Sequence, residues 1–419
     1  MSKRPSVTLC MIVKNEEHII KECLESIYKH IDRYDISDTG STDKTKEIIK
    51  EFFDEKGIPG EVYDIPWKGF GKSRTQAFEN AKPHADYAWV IDADDRLQGD
   101  FKYPKEMTAD SYALHIHRGE FTWWRQQIFK LEADWEYVGV LHEYATSRKA
   151  AEGGFTPSST KLEGKYCIDA RTMGDRTVQF GEDQAAKYTK DAETLIDCLE
   201  NPENENYEPD NLRYMFYTAQ SYFDAQNYEK ACEWYEKRAV KGGWEEEVWY
   251  CVYRIAICKC LLKKPWEEAQ DHFLQAWNIR PSRPEPLYHL ARIHRQNGNP
   301  RLGYLFAMQA NKIPPPLNDI LFLAHDIYNW MILDEVASSA WHAGDMIAGL
   351  EASNKLLEEK RFPKEHQERI VNNFAQYAQW LEQKRLEEQA QYEEQVKKAA
   401  EEKMKRTKTP APRRKKAKR

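Results

Sequence analysis

From Val7 to Ile91 short apolar runs alternate with amphipathic stretches, the pattern of parallel strands joined by crossover helices. Val7 to Val13 predicts a fully buried first strand, and Ile19, Ile20, Cys23, Leu24, Ile27 and Tyr28 then recur at helical spacing. A second strand is expected to end over Ile36 to Thr39, where Gly40 and Ser41 turn into a helix with Ile48, Ile49, Phe52 and Phe53 facing inward. Glu61 to Ile65 and Tyr87 to Ile91 predict two more strands, with a helix over Arg74 to Ala81 between them. Open sheets of this kind bind ligands beyond the carboxyl ends of their strands. The polar residues at those ends are therefore the ones to read for chemistry.

Beyond about residue 185 the strand pattern stops and aromatic-rich helices follow one another across short turns. Tyr222, Ala231 and Tyr235 are matched by Cys260, Ala269 and Phe273, and then by His294, Gly303 and Ala307. The middle position advances by 38 and then 34 residues, close to the period of about 34 of tetratricopeptide repeats. Pro281 and Pro315 fall at helix ends, and a more divergent fourth unit is expected over Trp330 to Leu357. A small middle residue lets paired helices approach, and the aromatics fill the next groove, so most of these rings are core. After Phe362 and Pro363 a long charged helix carries an apolar stripe of Ile370, Val371, Phe374, Tyr377 and Leu381, expected to cap the repeats before the helix runs into solvent. The expected domains are an α/β unit over 1–180, helical repeats over 181–361, the capping helix over 362–405 and a basic, unpacked tail over 406–419.

A length of 419 residues with 41 % hydrophobic side chains calls for two or three domains with cores of their own. No apolar run reaches 18 residues, and the first residues lack a signal-peptide core, so a soluble, cytoplasmic protein is expected. Eight scattered cysteines without metal-site spacing are expected to be buried free thiols. The net charge of -7 hides an asymmetry: Lys403 to Arg419 holds ten Lys or Arg and no acid, leaving the preceding residues at -17. The body repels polyanions and the tail attracts them.

The sharpest local signal is Trp89-Val-Ile-Asp-Ala-Asp-Asp95, an apolar strand that ends in three carboxylates. Unpaired carboxylates are costly to bury, so such an end implies a cation or an open cleft, against the plainer alternative of an acidic turn. Mg²⁺ and Mn²⁺ favour oxygen ligands and are shared between carboxylates and a substrate diphosphate. The second signal is Asp38-Thr-Gly-Ser-Thr-Asp43, where Asp38 can accept from a base N–H or a ribose hydroxyl, Gly40 permits the turn, and Ser41 or Asp43 can cap the helix that follows.

Val7-Thr-Leu-Cys-Met-Ile-Val-Lys-Asn-Glu-Glu17, the Asp38 to Asp43 turn and Asp92-Ala-Asp94 occur in an order and spacing that resembles the family 2 inverting glycosyltransferases of the GT-A fold, over about residues 5 to 145. The resemblance implies a Rossmann-like, mostly parallel α/β GT-A domain followed by an all-α tetratricopeptide-like solenoid. It implies that Val13 and Glu16 line the base pocket, Asp38 binds the base, Arg74 lies against base or ribose, Asp92 contacts ribose or metal, and Asp94 of the DXD motif ligates Mn²⁺ or Mg²⁺. Thr75 departs from the family, where an Asn usually follows the Arg. Trp124 and Arg125 fall on the acceptor side, and His142 resembles the late histidine that completes the metal shell, with a buried structural histidine as the alternative. Beside it Glu143 is the first candidate for the general base, with Asp134 as rival and Asp175 behind it. In Gly174-Asp-Arg176 the arginine is either a clamp on the donor phosphates or part of a linker turn.

These readings lead to metal-dependent inverting transfer of a sugar from a nucleoside diphosphate donor to a hydroxyl acceptor, with the repeats engaging the acceptor. Family habit favours UDP, and GDP and dTDP stay open. The acceptor is expected to be a protein or peptide, or nucleic acid with hydroxymethylated bases recruited by the tail, with glycan or lipid-linked acceptors also open and a targeting or solubilising tail the plainer alternative. The competing class is a non-catalytic repeat scaffold with a degenerate transferase domain. Retention of Asp38, Asp92, Asp94 and His142 argues against it.

Overall fold

Strand β1 (Val7–Val13) is apolar on both faces because both faces are covered. In a computed structural model that describes residues 4–408 apart from 120, 172, 175–177, 179, 182, 317, 318 and 320, Leu9, Met11 and Val13 pack with helices α1 (Ile20–Ile27) and α2 (Thr45–Lys56). Cys10 faces the other way, onto Ala77, Phe78 and Ala81 of α3 (Phe70–Ala81). β1 runs parallel to β2 (Arg33–Asp38) on one side and to β4 (Tyr87–Val90) on the other, and β2 runs parallel to β3 (Gly60–Asp64). The strand order therefore reverses at β1, and the crevice beyond β1 and β4 is where such a sheet binds ligands.

The rest of the sheet is mixed. β5 (Arg96–Asp100), β6 (Ser111–Arg118), β7 (Phe121–Lys130), β10 (Ser159–Lys161) and β11 (Lys165–Asp169) complete nine strands among the described residues. β7 pairs antiparallel with β4 and with β6. A separate antiparallel pair, β8 (Trp135–Val138) and β9 (Tyr144–Ser147), is followed by a single turn, α4 (Arg148–Ala151). The expected helix over Arg74 to Ala81 begins a turn earlier, at Phe70, because Gly69 breaks the chain at φ +85° and its carbonyl then accepts from the Ser73 N–H.

The chain divides into two compact units, Met1–Trp234 and Tyr235–Arg419. The first also contains α5 (Gln184–Glu200) and α6 (Leu212–Asp224), and α7 (Tyr228–Ala239) spans the division. The second continues with α8 (Glu245–Leu261), α9 (Trp266–Ile279), α10 (Glu285–Gln296), α11 (Pro300–Asn311), α12 (Ile332–Ala343), α13 (Met346–Glu359) and α14 (Gln367–Lys408). The middle residues of the three repeat trios, Ala231, Ala269 and Gly303, are all buried. At Gly303 a Cβ would lie 2.9 Å from the Ala291 carbonyl oxygen, so the small residue there is required by the approach of α11 to α10.

Ile370 and Tyr377 of α14 are buried, Phe374 and Leu381 are half-buried, Val371 is exposed, and every side chain from 382 to 404 is exposed. Tyr377 is the anchor: its hydroxyl donates to the Ala337 carbonyl at 2.7 Å and accepts from the Trp341 N–H at 2.9 Å. None of the eight cysteines, all among the described residues, forms a disulfide. Among the described residues no helix is long and apolar enough to cross a membrane. The basic tail from residue 409 onward, the clamp candidate Arg176 and the base candidate Asp175 lie outside the described residues.

A Cβ at Gly349 would overlap the Tyr377 ring at 2.2 Å. Gly349→Ala is therefore expected to destabilise the second unit by about 1–3 kcal/mol, measured by urea unfolding; an unchanged midpoint would show that α14 is not seated this way.

Candidate active site

The turn after β1 and the turn after β2 are zipped together. Asn15, at φ +54°, donates its N–H to Ser41 Oγ at 2.9 Å and accepts from the Thr42 N–H through Oδ1 at 2.9 Å. The Glu16 N–H donates to Thr45 Oγ1 and the Glu17 N–H to Asp43 Oδ2. Ser41 and Asp43 thus hold the β1 turn, and Asp43 Oδ1 also accepts from the Thr45 N–H at 3.0 Å at the start of α2, whose N-cap position, Lys44, has no side-chain cap.

Asp38, level with Val13 in the register, is fully buried. Its Oδ1 accepts from the Gly40 and Ser41 N–H groups at 2.9 and 2.8 Å, which the φ of +105° at Gly40 allows, while Oδ2 has no hydrogen-bond partner among the described residues. A buried carboxylate oxygen without a partner is costly unless a ligand supplies the donor.

Arg74 joins two elements. Its Nη2 donates to Asp92 Oδ1 at 2.6 Å and its Nε to Glu143 Oε1 at 2.8 Å. Gly71 makes this possible: a Cβ there would meet the Gly139 carbonyl oxygen at 2.4 Å, so only glycine lets the first turn of α3 approach the stretch that carries Glu143. Arg125 holds Asp92 from β7 at 3.4 Å and forms a short ion pair with the buried Asp95. Burial works to raise the Asp92 carboxyl, but Arg74 and Arg125 outweigh it and bring it down to about 2. Burial and the neighbouring Asp92 charge push Asp95 up to about 7.

Asp94 Oδ2 accepts from the Met173 and Gly174 N–H groups at 2.9 and 3.1 Å, and its carbonyl accepts from Arg171 Nε at 2.8 Å. A Cβ at Gly174 would meet Glu16 Oε1 at 3.3 Å and Asp94 Oδ2 at 3.5 Å, so these two carboxylates flank the same point. The carboxylates of Glu16, Asp92, Asp94, Asp95 and Glu143 thus outnumber the guanidiniums of Arg74, Arg125 and Arg171 around the end of β4.

A cavity of about 690 Å³ adjoins the cluster, and Val13, Glu16, Thr39, Trp67, Phe70 and Leu141 are among the residues that line it. It is within the range of sites that enclose a small organic ligand.

The structure thus brings Val13, Glu16, Asp38, Arg74, Asp92, Asp94, Arg125 and Glu143 to one end of the sheet. Asp134 is elsewhere, paired with Lys82 and Arg148 next to Leu131, whose N–H bonds the Asp86 carbonyl at the amino end of β4. Trp124 alternates away from Arg125 along β7 and meets His115 and Lys161. His142, at φ +54°, stacks its ring on Tyr217 of α6 with centroids 3.9 Å apart, and Arg213 Nη2 donates to its carbonyl at 2.7 Å. Among the described residues no three His, Cys, Asp or Glu side chains form a group that could hold a metal, so Asp92, Asp94 and His142 are not assembled as a complete ligand set. The positive φ supplies the backbone turn that lets His142 and Glu143 leave simple strand alternation.

Sequence reading gave no role to Asp95 or Arg171, nor to Trp67 and Phe70 on the cavity wall. The Trp67-Lys-Gly-Phe70 run, aromatics around a glycine just before a helix, was a usable signal for the wall. Arg171 had none, because its partner is 77 positions away.

Residues 8–108 match the family model described as Glycosyl transferase family 2. This segment is a family 2 glycosyltransferase domain on the GT-A type of α/β sheet, and helical repeats of tetratricopeptide-like period follow it. Similar curated proteins include a TPR repeat-containing protein of Synechococcus elongatus, 34 % identical over 92 residues that make up 22 % of this chain and 21 % of that one. Another is the SPbeta prophage-derived glycosyltransferase SunS of Bacillus subtilis, 24 % identical over 193 residues, 39 % of this chain and 43 % of that one. The chain thus spans 21 % and 43 % of the lengths of these relatives. The crystal structure of S. aureus TarS 1-349 in complex with UDP-GlcNAc aligns with a TM-score of 0.30 at 14 % identity, over 72 % of this chain and 92 % of that one, a likeness too slight to add to the geometry.

Arg74→Met leaves Asp92 without its nearer partner and strips Glu143 of its guanidinium. It is expected to lower stability by about 3–5 kcal/mol, read by thermal or urea unfolding. A loss of less than about 1 kcal/mol, the scale of surface ion pairs, would mean that the network is solvated.

Proposed function

We propose that this protein transfers a sugar, with inversion, from a nucleoside diphosphate donor to a hydroxyl-bearing acceptor, and that the first unit carries the reaction. The observation that carries this reading is the convergence of Asp38, Arg74, Asp92 and Asp94 at the strand ends beside a cavity of about 690 Å³. The partnerless Asp38 Oδ2 is an acceptor for a base N–H, which suits the N3–H of uracil, and UDP is the proposed nucleotide.

The donor set fits a divalent cation. Hard oxygen ligands dominate, and the carboxylates around β4's end exceed the cations that face them. Asp94 would be the principal residue holding Mn²⁺ or Mg²⁺, with Asp92 beside it. His142, stacked on Tyr217, would reach the ion only if its ring left the stack. The cation supplies charge neutralisation for the departing diphosphate.

Arg74 ties Glu143 to Asp92, and a donor phosphate that draws the guanidinium away frees the Glu143 carboxylate to take the acceptor's proton. Glu143 is preferred to Asp134 as the base because it stands in the cluster, whereas Asp134 is held at the other end of β4. The repeats are proposed to engage the acceptor, a protein or peptide in this reading; a nucleic-acid acceptor would instead act through the basic tail.

Incubation with UDP-sugars and Mn²⁺ is expected to give donor hydrolysis that EDTA and Asp94→Ala both abolish. Absence of hydrolysis and of nucleotide binding, with Asp94→Ala indistinguishable, would leave only the scaffold reading. Glu143→Gln is expected to retain donor binding and reduce transfer at least a hundredfold, the scale of general-base catalysis; turnover near wild type would remove Glu143 from the chemistry.

A further inference from the structure

The cavity beside Asp38 is not built by the strand ends alone. Lys190, Thr194 and Cys198 of α5, together with Asn206 from the turn that follows, line it along with Val13 and Thr39, although they lie far outside the segment 8–108. That wall is a constructed one. Asp183 caps α5 by accepting from the Ala186 N–H at 2.9 Å, and Ala192, Leu195, Cys198 and Leu199 are buried along the helix. The turn is then pinned by Asp197, which takes Asn201 Nδ2 at 2.9 Å and Asn204 Nδ2 at 2.5 Å. Asn204 Oδ1 in turn accepts from the Asn206 N–H at 2.8 Å, and the Glu208 N–H returns to the Cys198 carbonyl at 2.8 Å. Lys72 of α3 bonds Glu205 at 3.3 Å, which ties the turn to the same helix that carries Arg74.

One group in this wall is not used by its construction. The backbone N–H of Asn206 is fixed by Asn204, while among the described residues no hydrogen bond engages its side-chain amide, which is half-buried at the cavity surface. An amide places a donor and an acceptor side by side, the complement of a nucleobase or ribose edge. Thr194, a small side chain whose hydroxyl is turned back to the Lys190 carbonyl at 2.9 Å, leaves room in front of it.

We propose that α5 and its following turn form the outer wall of the donor site, with Asn206 bonding the nucleoside part of the donor and Thr194 keeping the space for it. The proposal rests on the assignment of the cavity to a nucleoside diphosphate donor. It makes the start of the helical region a determinant of nucleotide selectivity, with Asn206 and Thr194 as specificity-determining residues.

The test is calorimetric titration of the full-length protein with UDP, GDP and ADP in the presence of Mn²⁺, for wild type, Asp94→Ala, Asn206→Ala and Thr194→Trp. The proposal expects a rise in the UDP Kd of at least tenfold for Thr194→Trp, and for Asn206→Ala a weaker UDP interaction with a smaller preference for UDP over GDP and ADP, at unchanged unfolding temperature. Asn206→Ala lies in a half-exposed turn and reports even where the bulky Thr194→Trp fails to fold. If wild type binds UDP, Asp94→Ala weakens it and Asn206→Ala binds all three nucleotides as wild type does, the outer wall is not part of the donor site and the proposal falls while the transferase reading stands. If wild type binds none of the three, the transferase reading fails and takes this proposal with it.

Discussion

Two guanidiniums hold the end of β4 in place. Arg74 reaches from α3 to join Asp92 with Glu143, and Arg125 reaches from β7 to join Asp92 with Asp95. Arg74 crosses from a helix to two other elements, whereas Arg125 extends the pairing of β4 with β7 beyond the last residues of their ladder. Removing one partner of such a buried set leaves uncompensated charge, a far larger cost than the loss of a surface pair. The geometry at the end of β4 therefore depends on cations that reach it from α3 and β7. The close approach at Gly71, where any side chain would strike the Gly139 carbonyl, is what lets Arg74 make both bonds at once.

The same principle, a small residue admitting a large or charged one, recurs in the helical half. Gly303 admits α11 against α10, and Gly349 admits the ring of Tyr377, whose hydroxyl then closes two backbone bonds on α12. The buried Arg283 there is fully engaged: it lies 4.0 Å from the centre of Trp249 and bonds Glu285 and Asp319. Ion pairs of this kind fix which helices meet and in what register more than they add to stability. The exposed stretch of α14 from 382 onward has no such devices, and none of its described side chains is buried.

The parallel half of the sheet was legible because β1 and β4 are buried on both faces as apolar runs, and the crossover helices declare themselves in the sequence, whereas β2 shows only Tyr34 and Ile36 among polar residues. The repeat period was legible for a similar reason, since Ala231, Ala269 and Gly303 must be small wherever helices touch. The start of α3 was misplaced by one turn because Phe70-Gly-Lys-Ser73 has no helical periodicity of its own and is held by Gly69. Asp92, Asp94 and Asp38 stood out because strand ends concentrate function. Arg171 did not, since it reaches the cluster through a pairing 77 positions distant, and Arg125, expected on the acceptor side, meets Asp95 from 30 positions away. Asp134 had the right chemistry but the wrong end of a strand, a distinction that only the register of the sheet makes.

The central claim is that the strand-end carboxylates and the adjoining cavity form one donor site. A crystal structure of the protein grown with UDP and Mn²⁺ tests it directly. The account predicts uracil within hydrogen-bonding distance of Asp38 Oδ2, the diphosphate and metal at Asp94, and Arg74 turned toward phosphate. A nucleotide bound away from Asp38, or a metal bound without Asp94, would contradict it.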